Sequence, residues 1–149
     1  MPCRSKGSNG DLTDLMEALL KRVDQLIKRE KLPWLRHGPT IAVDLSQSGR
    51  SQQVRLERRD DLYVFRSVVV GSDFVTRTDT GWRELAHRVW RKNALKEFVT
   101  FAFDEMDRLI GFIEQPVATL DREELQFYIE VVARECDRLE YILTGKYSY

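Results

Sequence analysis

Apolar residues along this chain recur at steps of three and four in some stretches and of two in others. The switches between these rhythms predict the order helix, three strands, helix, two strands, helix. Beginning near Asp11, the residues Leu12, Leu15, Met16, Leu19, Leu20, Val23, Leu26 and Ile27 fall on one stripe of a helix. Asn9 or Asp11 is placed to cap it, and Pro33 ends it. Its other face, with Glu17, Lys21, Arg22, Asp24 and Lys28, reads as solvated surface. After Trp34 the rhythm changes, and Ile41, Val43 and Leu45 alternate as in a half-buried strand. SQSGRS, residues 46–51, is a loop by composition. From Gln53 to Arg58 the alternation resumes with Val54 and Leu56 inward, and Arg59, Asp60 and Asp61 fit a hairpin turn. LYVFRSVVV, Leu62 to Val70, is apolar on both alternations, which predicts a central strand covered on both sides and completes a three-stranded antiparallel meander.

Gly71 to Thr80 is polar and rich in turn formers, and Thr78, Asp79 or Thr80 can cap a second helix beginning near Gly81. Trp82, Leu85, Ala86, Val89 and Trp90 keep helical spacing along it. FVTFAF, residues 98–103, and LIGFIE, residues 109–114, are β-rich runs joined by the acidic turn Asp104 to Arg108, a second hairpin. The last helix carries the strongest pattern of all. Asp121 as N-cap, Glu124 three residues on and Leu120 as a staple mark its start. Leu125, Tyr128, Ile129, Val132, Cys136, Leu139, Ile142 and Leu143 form its stripe, and Gly145 is its stop.

Composition narrows the function more than the fold. A chain of 149 residues supports one sizeable core, so a single domain over residues 11–149 behind a flexible tail, 1–10, is expected. The 24 basic and 24 acidic side chains cancel and are interspersed, which argues against a dedicated nucleic-acid binder. The tail MPCRSKGSNG lacks the apolar run of a signal peptide, and no stretch approaches the ~20 apolar residues of a membrane span. The two cysteines, Cys3 in the tail and Cys136 on the last stripe, read as a stray thiol and a core thiol. Together these features predict a cytoplasmic protein.

No catalytic spacing emerges, and neither a cofactor nor a metal is expected. His37 lies in a connection beside Gly38 and Pro39, while His87 lies in the second helix beside Arg88. Asp104, Glu105 and Asp107 lack the alternating acids and central glycine of a calcium loop. Ser46, Ser48 and Ser51 have neither nucleophile-elbow nor phosphate-loop spacing around them. Arg55, Arg58, Arg59, Arg66 and Arg77 near Tyr63 and Phe65 offer the alternative of a basic and aromatic sheet face that binds single-stranded nucleic acid or another anionic ligand. Glu57, Asp60 and Asp61 interrupt that charge and favour a mixed, solvated face.

The run Phe101-Ala102-Phe103-Asp104 through Arg108-Leu109-Ile110-Gly111, then a helix with Ala133, Asp137, Leu139 and a terminal Leu143-Thr144-Gly145, resembles the YbjN-like bacterial proteins. The element order over about residues 11–145 likewise resembles the fold of type III secretion chaperones. This resemblance implies an α+β module of two layers, α-β-β-β-α-β-β-α, with a five-stranded antiparallel sheet and helices on one face. It also implies a non-enzymatic, chaperone-like role in binding an extended protein or peptide partner, and a homodimer to which the second helix region contributes. If helices cover only one sheet face, apolar residues remain for the other, with Tyr63, Phe65 and Val69 in one set and Val64 and Val68 opposite. A contiguous uncovered patch marks an interface, unless Trp34, Trp82 and loop residues close it within one monomer. The partner-binding residues expected on these grounds are Tyr63, Phe65, Trp82, Val89 and Trp90.

Overall fold

The computed structural model describes residues 9–45, 49–77, 79–95 and 97–145. Residues 1–8 of the tail with Cys3, the loop positions Ser46 and Ser48, and Thr78 lie outside them, as do the side chains of Asn9, Asp11, Leu12, Asp79 and Thr80. The elements are α1 (Asn9–Glu30), β1 (Trp34–His37), β2 (Thr40–Leu45), β3 (Arg50–Arg59), β4 (Leu62–Val70), α2 (Ser72–Thr76), α3 (Asp79–Ala94), β5 (Thr100–Phe103), β6 (Leu109–Pro116) and α4 (Arg122–Thr144). The strands form one antiparallel sheet in the order β1-β2-β3-β4-β6-β5.

The sheet therefore has six strands where five were expected. The added strand is β1, which folds back on β2 through the turn at Gly38, a glycine with φ of 57°. Its alternation is disguised because the inward position between Trp34 and the turn is Arg36, while the outward one is the exposed Leu35. Arg36 is satisfied there by a bidentate pair with Asp24 of α1, at 2.6 and 2.7 Å. A second difference is α2, one short turn of helix inside the segment expected to be loop, fixed by the buried Val75.

Inward side chains of the strands join those of α1 and α4 in one core. Trp34, Ile41, Val43, Val54, Leu56, Tyr63, Phe65, Leu109, Ile113 and Phe101 form the sheet side of the core, against Leu19, Val23, Leu26, Leu125, Ile129, Val132 and Leu139. Burying so much apolar area is the main stabilising term of the fold, at about 25 cal/mol per Å². The α4 start is built as its sequence dictates. The Glu124 amide donates to the Asp121 carboxylate at 2.8 Å, and the Asp121 amide donates back to the Glu124 carboxylate at 3.2 Å. At the other end Gly145 adopts φ of 62° and donates to the Tyr141 carbonyl at 2.8 Å. The stripe is buried through Leu139, after which Leu143 stays partly buried against the core and Ile142 is exposed.

At Gly111 the sheet lies directly against α4. A Cβ there would collide with Cys136 Sγ and would come within 2.9 Å of the Phe101 ring and 3.0 Å of Val99. The central strand β4 is covered by helix on one side only. On the other, Val64 is 2% exposed because its register neighbours Glu57 and Glu114 hold Arg66 and Arg59 across it, at 3.2 and 3.9 Å.

Candidate partner-binding surfaces

Alternation along β4 decides which of the expected partner-binding residues a second molecule can reach. Tyr63 and Phe65 point toward the helices and are buried, with the Phe65 ring 5.7 Å from that of Tyr128 on α4. Val89 is buried too, on the inner side of α3 beside Leu85. Trp82 and Trp90 are instead on the outside of that helix, 45% and 65% exposed. The structure thus separates the five residues into a core set and a surface pair.

What holds α3 in place is the free edge of β5. The Asn93 side-chain amide donates to the Phe101 carbonyl at 2.8 Å and its oxygen accepts from the Phe101 amide at 2.9 Å, so one side chain takes the place of a missing strand neighbour. Lys92 sits over the Phe101 ring and between Glu97 and Glu135. With its inner side committed in this way, α3 presents its remaining apolar surface outward. Trp82 leans on Phe103 with ring centres 4.5 Å apart, and His87 stacks on Trp90 at 6.1 Å. Beyond the helix end Leu95 and Phe98 are exposed as well, and Phe98 meets the half-exposed Phe127 of α4 edge-on at 5.2 Å. Phe127 and Phe98 were missed in the sequence. Phe127 lies out of phase with the α4 stripe, which was the available signal, whereas Phe98 was absorbed into a strand that begins only at Thr100.

On the sheet face away from the helices, Arg55 and Arg66 are direct partners across β3 and β4, and both reach the single carboxylate of Glu57, at 3.1 and 3.2 Å. Val68, Ile110 and Phe112 lie beside them. Because Tyr63 and Phe65 are on the opposite face, the expected platform of these two aromatics with the arginines does not form. The sheet also splits at this point. Pairing of β3 with β4 runs from Arg59↔Leu62 to Arg55↔Arg66 and stops, although β3 stays paired to β2 as far as Arg50 and β4 stays paired to β6 as far as Val70. Side chains bridge the start of the gap. Gln52 Nε2 donates to Ser67 Oγ and to the Val68 carbonyl, both at 2.8 Å, and the Ser67 hydroxyl donates to the Gln53 carbonyl at 2.6 Å. A cleft of about 670 Å³ opens beyond them.

A second cleft, about 530 Å³, lies between α4 and the ends of β1 and β2, floored by Trp34 and Val43. Its wall is the Arg50–Asp137 pair, bidentate at 2.6 and 2.7 Å, with the guanidinium 5.4 Å from the Tyr141 ring. Cys136 is wholly buried, and burial pushes its thiol far above the usual range, which leaves it an inert core thiol. Asp104 organises its own hairpin, accepting from the amides of Met106 and Arg108 and from the Arg108 guanidinium. Burial raises its carboxyl, but those hydrogen bonds outweigh burial and hold it below the ordinary carboxylate range. Among the described residues no three His, Cys, Asp or Glu side chains are grouped to hold a metal ion. No described helix is long and apolar enough to cross a membrane.

No protein-family model matches the sequence, and no curated protein matches it either. Solved structures do match in shape. A chain of the ExsC–ExsE complex superposes with a TM-score of 0.58 at 16% identity, covering 87% of this chain and 96% of its own. The ExoU–SpcU complex from the type III secretion system of Pseudomonas aeruginosa gives 0.54 at 15% identity, covering 83% of this chain and 99% of its own. YbjN from E. coli gives 0.54 at 12% identity, covering 83% of this chain and 87% of its own. The chain has the fold of type III secretion chaperones and of YbjN.

Proposed function

We propose that this protein is a non-enzymatic, chaperone-like module of the bacterial cytoplasm that binds a protein or peptide partner and works as a homodimer joined through α3. The observation that carries the reading is the exposure of Trp82 and Trp90 on a helix whose inner side is already committed to the β5 edge, with Leu95 and Phe98 exposed just past its end. Tryptophan is enriched among the residues that anchor interfaces. Several solved proteins of this fold are chaperones crystallised with a partner, such as SycH of Yersinia pestis with a fragment of YscM2. That supports a binding role at the level of fold.

The test is co-purification of the tagged chain from its native host, with the Trp82→Ala/Trp90→Ala double variant in parallel. The wild-type chain should bring down a specific protein partner, and the double variant should behave as a folded monomer. Turnover of a small molecule by the pure protein, abolished by changing one polar cluster, would overturn the non-enzymatic reading.

A further inference from the structure

The cleft between β3 and β4 is where an antiparallel sheet lacks a stretch of its own ladder, and three observations say what fits it. First, main-chain groups are left facing it. The Gln53 carbonyl points toward β4, since it accepts from Ser67, and Ser51, two residues away, shares that orientation. The amide of Gln53 and both main-chain groups of Ser51 therefore look into the gap with no strand among the described residues opposite. Second, its mouth on the face away from the helices is positive at Arg55 and Arg66, since Arg108 of the lining is already paired with Asp104 and the lining acid Glu140 belongs to α4. At the apex two guanidinium groups share one carboxylate, so that pair of arginines is left with a net positive charge. Third, the wall turned toward the helices carries apolar surface at Val69 and Phe74, beside Glu140 and Thr144 of α4.

We infer that this split in the sheet is a receptor slot for an extended, acidic segment of a partner protein, which pairs with the open edge of β3 and places a carboxylate on Arg55 and Arg66. An extended segment alternates its side chains, so acidic residues would face the arginines and small apolar ones the Phe74 wall. The Gln52–Ser67 bridge closes the narrow end of the slot and sets where the segment begins. This inference rests on the protein-binding role proposed above and names the surface and the chemistry of the partner.

The probe is a fluorescein-labelled, end-capped peptide of about seven residues that alternates valine with glutamate, long enough to span such a slot. Anisotropy titration should show binding to the full-length protein. Arg55→Ala or Arg66→Ala should each weaken it about tenfold, the effect of losing one charge-assisted hydrogen bond. A glutamine-for-glutamate peptide should bind about tenfold more weakly for the same reason. A peptide with alternate backbone nitrogens methylated should not bind at all, because it keeps the charge and loses the strand pairing. The peptide controls do not depend on any variant folding. Equal binding by the methylated peptide, or displacement by inorganic phosphate, would reduce the slot to an anion site and overturn the inference, as would no binding by the wild-type protein. Dissociation of a dimer by the peptide would overturn it in favour of a second copy of this chain as the occupant. If the Arg55→Ala/Arg66→Ala protein still captures its partner from the host, the slot is wrong and the chaperone-like role stands. If the wild-type protein captures none, the role itself fails.

Discussion

Gly111 is the residue on which the approach of α4 to the sheet depends, because the Cys136 sulfur occupies the place of a β-carbon. Gly111→Ala should destabilise the protein by about 1–3 kcal/mol in urea unfolding, the usual cost of overfilling a packed core. Adding Cys136→Ala should recover part of that loss, since the two positions share one space. Strictly additive effects would mean that the backbone, and not the sulfur, sets the spacing. That Cys136 belongs to the core was legible from its place on the helical stripe. That Gly111 lies against it was not, because a sequence does not say which residue sits across from which. Asp104 makes a second prediction at this scale. Its folded-state carboxyl is held below the usual range, so unfolding takes up a proton as the pH drops. The stability it supplies is present above its unfolded value of about 3.9 and is lost as the pH falls further, through the folded value. The melting temperature of the wild-type protein should therefore drop more steeply below about pH 4 than that of Asp104→Asn. Parallel acid limbs would contradict this.

Among the elements, α1 and α4 were the most legible, since long amphipathic stripes leave little choice of phase, and α4 is capped at both ends as well. Short elements were lost where a polar side chain took an inward position. In β1 the inward Arg36 hides the strand, because its partner Asp24 comes from another element and gives no local signal. The helix α2 is too short to establish a period and depends on one buried valine. The attachment of α3 could not be read either, since Asn93 resembles any exposed helical asparagine until β5 is placed beside it. Asn93→Ala should leave the Phe101 amide and carbonyl unpaired at a sheet edge. The expected cost is about 1–2 kcal/mol, with faster hydrogen exchange at the Phe101 amide. Unchanged exchange there would show that α3 is held by its apolar contacts alone.

For the whole molecule, the order of elements was enough to point to the fold, because a meander, a hairpin and flanking amphipathic helices have few ways to share one core. Which surfaces were left over was much less legible. Tyr63 and Phe65 share the apolar and aromatic character of the α3 tryptophans, yet strand phase buries the first pair and helix packing exposes the second. Partner binding and self-association both follow from those leftover surfaces, and the α3 surface is the larger commitment. A dimer of ordinary size buries about 1,600 Å² in total, which several large apolar side chains can anchor. Sedimentation over roughly 1–100 μM, a range that brackets ordinary dimer affinities, tests this most directly. The account predicts a species of twice the 17.5 kDa chain mass. Trp90→Ala should weaken it by at least ~2 kcal/mol, about thirtyfold in dissociation constant. A chain that remains at 17.5 kDa throughout, or a dimer indifferent to both Trp82 and Trp90, would contradict it.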